Sequence, residues 1–345
     1  MPSFIEKGLR PLDRLRQVCL KALMPWIRPL IVERERRVTV TGILLMSTAL
    51  IGVILIPLWM LALGPIIWGV PHILSDVRYL AIRPGFIKRK ILWLVAGVPL
   101  VIVGYTGDVY IGFIGALGAL WVSSTSNKRL WLGTVVLLFL IWGSHRLGYQ
   151  ANLIFAHAHN FIAVGLWWMW RQRQDTLHWL PLAFFLLISG GLLFGMADPY
   201  LGITFAFPWT PPGNSMSYHL GVLAPGFSQQ VGVRIVLLFA FAQTIHYVVW
   251  LRLIPEEDRP QPTPRSFSSS YRALQADFGT IPIILIACSS VILVGWALMD
   301  LAAARVGYLR LAIFHGHLEL IALALFWAEG TPAAQQFSNP SPSSK

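Results

Sequence analysis

Histidines and carboxylates interrupt otherwise apolar stretches at four places along the chain. They are His72 with Asp76, His157 with His159, His246, and His315 with His317 and Glu319. An ionisable side chain at the centre of a lipid bilayer costs about 2.5–3.5 kcal/mol or more unless it is paired, coordinated or hydrated. We therefore interpret these eight residues as candidates for a buried functional site.

Helical spacing decides which of these side chains can share a target. Positions i and i+4 lie on one face of a helix, so Asp76 follows His72 on the same face and Glu319 follows His315. Positions i and i+2 point about 200° apart, so each histidine doublet offers only one side chain to a common centre. The spacing predicts four metal-binding histidines, one from each stretch, with the two carboxylates as ligands or as groups that orient the imidazoles.

Imidazole and carboxylate ligands in an apolar bundle suit iron, zinc or copper. Iron that activates oxygen on a lipid-soluble substrate fits a site without a water-rich domain, whereas zinc would suit hydrolysis. Haem held between facing histidines is an alternative. The other histidines are predicted to play no ligand role, because His145 adjoins Arg146 near the outer interface and His178 and His219 fall at an interface and in a loop.

Composition predicts the elements that must position these groups. Hydrophobic residues make up 56% of the 345 residues and charged residues only 12%, against about 25% in soluble proteins. This predicts an all-α, polytopic membrane helix bundle of about ten transmembrane helices, with most of the 15 tryptophans at the interfaces. The predicted spans are 40–62, 65–82, 90–106, 109–125, 130–147, 150–170, 178–196, 231–252, 279–301 and 307–328.

Basic residues follow every second predicted span, which places both termini in the cytoplasm and the protein in the cell's inner (plasma) membrane. The net charge of +12 therefore indicates contact with lipid headgroups and argues against nucleic-acid binding. The two cysteines provide no thiolate metal cluster.

Three regions are predicted along the chain. Residues 1–39 form a basic amphipathic cytoplasmic segment whose helix Pro25 and Pro29 would break, residues 40–330 form the bundle, and residues 331–345 form a disordered tail. Within the bundle, the Pro- and Gly-rich segment 197–230 is predicted to cap the outer side, and 254–277 to be an ordinary cytoplasmic connector.

The stretch GVPHILSD at residues 69–76 resembles the GxPHGxxD signature of the Brp/Blh-type bacterial membrane β-carotene dioxygenases. The later histidines follow in a similar order, although Trp250 stands where the family has a second histidine four residues after His246. The resemblance implies a non-haem Fe²⁺ site built from these histidines, and oxygen-dependent cleavage of a carotenoid double bond.

The leading hypothesis is thus a membrane metal oxygenase acting on a carotenoid or another isoprenoid. A transporter or proton-relay subunit is an alternative, and it requires polar groups spread across the depth of the membrane. His246 is predicted nearer the cytoplasmic side than the other histidines, which favours that alternative. A haem- or pigment-binding accessory subunit is the third hypothesis.

Overall fold

The computed structural model describes residues 4–171, 176–202 and 210–330, and these residues form helices and connecting turns without a β-strand. The all-α prediction is therefore confirmed for the described residues, while the predicted tail at 331–345 lies outside them. The helices are α1 (Phe4–Val32), α2 (Arg34–Leu55), α3 (Pro57–Ile82), α4 (Lys90–Thr106), α5 (Val109–Trp121), α6 (Asn127–Leu147), α7 (Tyr149–Met169), α8 (Trp179–Leu193), α9 (Met216–Leu223), α10 (Gln229–Glu257), α11 (Phe267–Phe278), α12 (Thr280–Met299), α13 (Leu301–Ala312) and α14 (Phe314–Glu329).

Six helical stretches are long and apolar enough to cross a membrane, counted over the described residues. They are Arg34–Leu55, Pro57–Ile82, Asn127–Leu147, Gln229–Glu257, Thr280–Met299 and Leu301–Glu329. Three shorter apolar helices, α4, α5 and α8, accompany them. The chain therefore has the helices of a membrane protein, and the count of ten spans stays a prediction.

Helix α10 lies at the centre of the bundle. It packs against α2, α3, α7, α8 and α9, and 67% of its most apolar stretch is buried. Helix α12 is only 6% buried over the corresponding stretch, which leaves an apolar surface suited to lipid. Trp167, Trp170 and Trp250 are fully buried in the core, so the prediction that the tryptophans are mostly interfacial is wrong for these three.

Small residues let α5 approach its neighbours closely. A methyl group added at Gly118 would come within 2.7 Å of the Val95 carbonyl oxygen on α4, and one added at Gly112 within 2.1 Å of Nδ1 of His317 on α14. Close contact through glycines is a common way for helices to pack in membranes, where apolar burial alone gives no preference for one partner.

The N-terminal helix differs from its prediction. Helix α1 is continuous from Phe4 to Val32 with Pro25 and Pro29 inside it, so the predicted break is wrong, although each proline removes one backbone hydrogen bond. Asp13 accepts hydrogen bonds from the backbone N–H groups of Phe267 (2.7 Å) and Ser268 (3.2 Å), so the predicted connector contains α11 and holds α1.

Ion pairs gather the predicted cytoplasmic loops at one end of the bundle. They are Arg37–Glu256 (2.5 Å), Arg78–Asp277 (2.7 Å), Arg83–Asp258 (2.7 Å) and Arg89–Glu329 (2.7 Å). These pairs join the ends of α2, α3, α10 and α14 to α11 and to the turn before α4. Arg83 and Arg89, which follow the second predicted span, thus lie at one end of the bundle together with Arg37. The side of a membrane that this end faces stays a prediction.

The segment predicted as a cap folds against the opposite end, although its residues 203–209 lie outside the described part of the chain. Asn214 and His219 are almost completely buried, and the carbonyl oxygen of Leu223 at the end of α9 accepts a hydrogen bond from Nε2 of His157 on α7, 2.9 Å away. This segment is packed into the fold.

Candidate metal centre

Four histidines from four helices meet inside the bundle. His72 lies on α3, His159 on α7, His246 on α10 and His315 on α14. The ring of His72 is centred 5.3 Å from that of His246 and 4.9 Å from that of His315. The ring of His159 is centred 5.1 Å from His246 and 5.5 Å from His315, and the last two rings are 5.6 Å apart. We call these four residues the histidine cluster.

The helices themselves orient three of the four rings. Nδ1 of His72 lies 3.2 Å from the carbonyl oxygen of Trp68, Nδ1 of His159 lies 2.8 Å from that of Ala156, and Nδ1 of His315 contacts that of Ala312. A carbonyl oxygen only accepts, so each Nδ1 carries the proton and donates it. This tautomer leaves the lone pair on Nε2 free, and it is the form in which histidine binds metals.

Two buried carboxylates lie beside the cluster. Asp76 is fully buried one turn after His72 and is close enough to Glu319 for the two groups to interact electrostatically. Oε1 of Glu319 accepts a 2.7 Å hydrogen bond from the indole Nε1 of Trp250 and lies 3.7 Å from Nε2 of His246. Both predicted helical pairs, His72 with Asp76 and His315 with Glu319, therefore belong to one group of residues.

The donor atoms fit a cation. One ligand atom each from His72, Asp76, His246 and His315 lie within 4.8 Å of one another. Among the described residues, Nε2 of His72, both ring nitrogens of His246, both oxygens of Asp76 and Oε2 of Glu319 have no hydrogen-bond partner. An unsatisfied buried polar atom costs about 1–3 kcal/mol, and imidazoles with carboxylates are the ligands that iron, zinc and copper take.

The cluster forms part of the wall of a cavity of about 350 Å³. The remaining wall is mostly apolar and aromatic, with Asn152, Asn160, Gln243, Arg305 and the predicted ligand His317 as polar exceptions. Asp76 and Glu319 are fully buried and absent from the cavity lining, so their negative charge lies beside the imidazoles rather than at the cavity wall. A cavity of this size and character is typical of sites for small molecules.

One histidine of each doublet lies outside the histidine cluster. Nε2 of His157 donates to Leu223, and the ring of His317 stacks on Phe155 with the centres 4.6 Å apart. The structure thus places His159 and His315 in the cluster and leaves His157 and His317 outside it. The helical spacing predicted that only one histidine of each doublet could reach a common centre, but it did not predict which one.

The remaining histidines lie away from the cluster. His145 packs edge-on against Tyr110, and His178 contacts the rings of Trp168 and Trp179. His219 is buried under the cap, where burial and the nearby Arg305 lower its pKa to about 4. Neutral histidine is therefore its form at physiological pH.

The predicted depth mismatch of His246 is absent. Its ring lies 5.3 Å from that of His72, because α10 continues past the predicted end at 252 to Glu257. A π-helical turn at Val249–Leu253 follows the histidine and contains Trp250. Such turns rarely occur in helices and are frequent at functional sites.

Three aromatic residues near the cluster were missed by the sequence analysis. The ring of Tyr247 is centred 4.8 Å from that of His72, Oη of Tyr308 lies 3.5 Å from Nδ1 of His72, and Trp250 binds Glu319. A phenol or an indole in an apolar helix carries a weak polar signal. The position of Trp250, four residues after His246, was the one available indication.

No family model matches the chain, and neither a curated protein nor a solved structure does. The fold and the site describe an all-helical chain with the helices of a membrane protein and a buried cluster of imidazoles and carboxylates.

Proposed function

We propose that the chain is an integral membrane oxygenase that holds one iron ion through His72, His159, His246 and His315 and oxidises a lipid-soluble substrate. The substrate class is a carotenoid or another isoprenoid, as the resemblance of residues 69–76 to the Brp/Blh-type dioxygenases implies. The observation that carries the proposal is the convergence of four imidazoles from distant parts of the chain at the wall of one apolar cavity.

The compactness of the cluster supports a single ion over the alternatives. The measured ring centres lie 4.9–5.6 Å apart around one point, a spacing that suits an ion between the Nε2 atoms and leaves no room among the four rings for a porphyrin. A conduction path requires polar groups spread along the membrane normal, whereas these groups converge. Haem binding and proton relay are therefore the weaker proposals.

The protein's own residues would supply binding, orientation and exclusion of water. The carbonyl oxygens of Trp68, Ala156 and Ala312 hold three imidazoles with Nε2 free. The carboxylates of Asp76 and Glu319 offset the charge of a cation, and Trp250 fixes Oε1 of Glu319. An iron ion held by these residues would serve to activate molecular oxygen, and the apolar cavity would keep the reacting double bond away from water.

An apolar groove offers a lateral route for such a substrate. It has a volume of about 400 Å³ and lies between the end of α3, α4 and α14. Its lining runs from Ile87 along α4 to Gly104, and it includes Phe314, the neighbour of His315. Gly107 and Ile313 line the histidine-walled cavity a few residues away. A long isoprenoid chain lying in the groove would reach the cavity near the cluster.

The test measures metal and turnover together. The full chain, purified from membranes, is analysed for iron, copper and zinc, and is expressed in a carotenoid-accumulating host whose extracts are searched for apocarotenals. We expect about one iron per chain and loss of carotenoid in the host. His72→Ala should remove both, and His145→Ala, which changes a histidine outside the cluster, should keep both.

Absence of any stoichiometric transition metal from the folded wild-type protein would contradict the metal site. Stoichiometric iron without loss of any carotenoid or isoprenoid would contradict the substrate class and retain the site. About one zinc per chain with no iron would contradict the oxygenase proposal and indicate hydrolysis instead.

A further inference from the structure

A second cavity, of about 630 Å³, lies at the end of the bundle where the ion pairs gather. It is enclosed by α1, α3, the end of α10, the turn that follows α10, and α11. Five arginines line it: Arg16, Arg78, Arg252, Arg259 and Arg265. Glu256 is the one carboxylate in the lining among the described residues, so positive charge is in excess there. We call this cavity the arginine pocket.

The single carboxylate of the arginine pocket is already shared. Its Oε1 accepts hydrogen bonds from Arg37, 3.0 Å from Nε and 2.5 Å from Nη2, and from Arg259, while its Oε2 lies 3.3 Å from Nη1 of Arg252. The neighbouring Glu257 is buried and acts on Arg37. The carboxylate of Glu256 thus contacts three guanidinium groups, and its single negative charge does not neutralise all three.

The remaining arginines add to this surplus. Arg78 donates Nε to Asp277 at 2.7 Å, but its buried Nη2 has no partner among the described residues. Arg16 donates a 3.5 Å hydrogen bond to the backbone carbonyl oxygen of Pro264 and lies near the carboxylate of Asp13, which already accepts hydrogen bonds from the backbone of Phe267 and Ser268. Burial and repulsion from Arg37, Arg265 and Arg252 lower the pKa of Arg259 to about 10. These observations describe a partly enclosed pocket with more arginines than carboxylates in its lining.

The chemistry of the lining defines the anion. Guanidinium groups form paired hydrogen bonds with phosphate oxygens, and hydroxyl groups of Tyr79, Ser270 and Tyr271 provide further polar contacts. Leu74, Leu251 and Leu274 add apolar wall. Basic pockets between membrane helices on the cytoplasmic side are typical sites for anionic lipid headgroups.

We propose that the arginine pocket binds a phosphate group, from an anionic phospholipid or from a soluble phosphate compound, and that the bound anion holds α1 and α11 against the bundle. The site is separate from the histidine cluster. The phosphate proposal does not depend on the oxygenase proposal, because the arginine pocket and the histidine-walled cavity share no lining residue among the described residues.

The test compares two double variants that remove equal charge. Arg16→Gln with Arg265→Gln changes the pocket and spares the ion pairs of Glu256. Lys128→Gln with Arg129→Gln is the control, because both residues lie outside the pocket and Arg129, like Arg16, donates a 3.5 Å hydrogen bond to a backbone carbonyl oxygen. The full-length proteins are examined by native mass spectrometry with phosphatidylglycerol or phosphatidylcholine, and by thermal unfolding with inorganic phosphate or chloride at equal ionic strength.

We expect wild type and control to retain phosphatidylglycerol over phosphatidylcholine, and the pocket variant to bind it about tenfold more weakly or worse. Stabilisation by millimolar inorganic phosphate without lipid would instead assign the site to a soluble phosphate compound, and the pocket variant should lose that stabilisation. If neither anion is preferred over its neutral or chloride counterpart, or if the pocket variant binds as the control does, the proposal is overturned.

Discussion

His157 and His159 are two positions apart on α7 and point to different surroundings. The ring of His159 lies 5.1 Å from that of His246, whereas Nε2 of His157 donates to Leu223. We predict that His159→Ala lowers bound iron by tenfold or more and that His157→Ala leaves the metal content unchanged, because only the former removes an available Nε2. Metal analysis of both purified variants checks this. Equal losses in the two variants would contradict the assignment.

His219 gives a prediction for stability at acid pH. Its pKa is about 4 in the folded chain against 6.5 in the unfolded chain, so below pH 6.5 the unfolded chain binds the extra proton. The free energy of unfolding should therefore fall as the pH drops from about 6.5 to 4, by at most about 3 kcal/mol. Thermal unfolding of wild type and His219→Leu at pH 7.5 and 5 measures this contribution. A variant that loses as much stability as wild type would contradict it.

Single residues were predictable from sequence where local geometry alone decides the outcome. The i,i+4 rule placed Asp76 beside His72 and Glu319 beside His315, and both pairs lie in one group of residues. The choice within each doublet was not predictable, since it depends on how α7 and α14 rotate against their neighbours. The partner of Trp250 was not predictable either, because Glu319 comes from a distant helix.

At the scale of helices, the contact of α5 with α14 is testable through Gly112. A methyl group there would lie 2.1 Å from Nδ1 of His317, whose ring is buried and stacked on Phe155. We predict that Gly112→Ala destabilises the protein by about 1–3 kcal/mol, as overpacking does. The melting temperature in detergent measures the effect.

Two further variants make this prediction specific. Gly104→Ala, at a glycine with no atom within 4 Å of the added methyl group, should leave the melting temperature unchanged or slightly raised. Combining Gly112→Ala with His317→Ala should cost less than the sum of the two single changes, because the second removes the clash. Full additivity would show that the contact is not the cause.

Helix boundaries were predictable only in part. The first predicted span, 40–62, crosses a break, because α2 ends at Leu55 and α3 begins at Pro57. Proline at the first position of a helix fits its backbone geometry, so Pro57 marked a start that hydropathy alone did not show. The end of α10 was predicted too early, since a window of apolar residues does not detect the π-helical turn that carries the helix on to Glu257.

At the scale of the whole molecule, the two cysteines report on orientation. Both are exposed, but Cys19 lies on α1, outside the six candidate spans, and Cys288 lies within α12, which faces lipid. We predict that a membrane-impermeant maleimide labels Cys19 in inverted vesicles and not in right-side-out vesicles, because the N-terminus is predicted to be cytoplasmic. Cys19→Ser should abolish the labelling. Labelling in right-side-out vesicles would reverse the proposed topology.

The fold class was predictable from the sequence, but the contacts between helices were not. Composition indicated an all-helical membrane protein, and loop charges indicated which loops share an end. The arginine pocket was not anticipated, because Arg16 and Arg265 are far apart in sequence and meet only through the packing of α1 on α11. Contacts of this kind depend on tertiary structure that no local pattern encodes.

The distribution of the histidine cluster along the chain has a consequence for biosynthesis. His72 and Asp76 emerge from the ribosome well before His315 and Glu319, which follow roughly 240 residues later in the chain. Until α14 has been made, His72 and Asp76 are in the chain without His315 and Glu319 beside them. If the site holds an ion as proposed, the ion would be bound only after α14 has been made, and a chain truncated before α14 would lack His315 and Glu319.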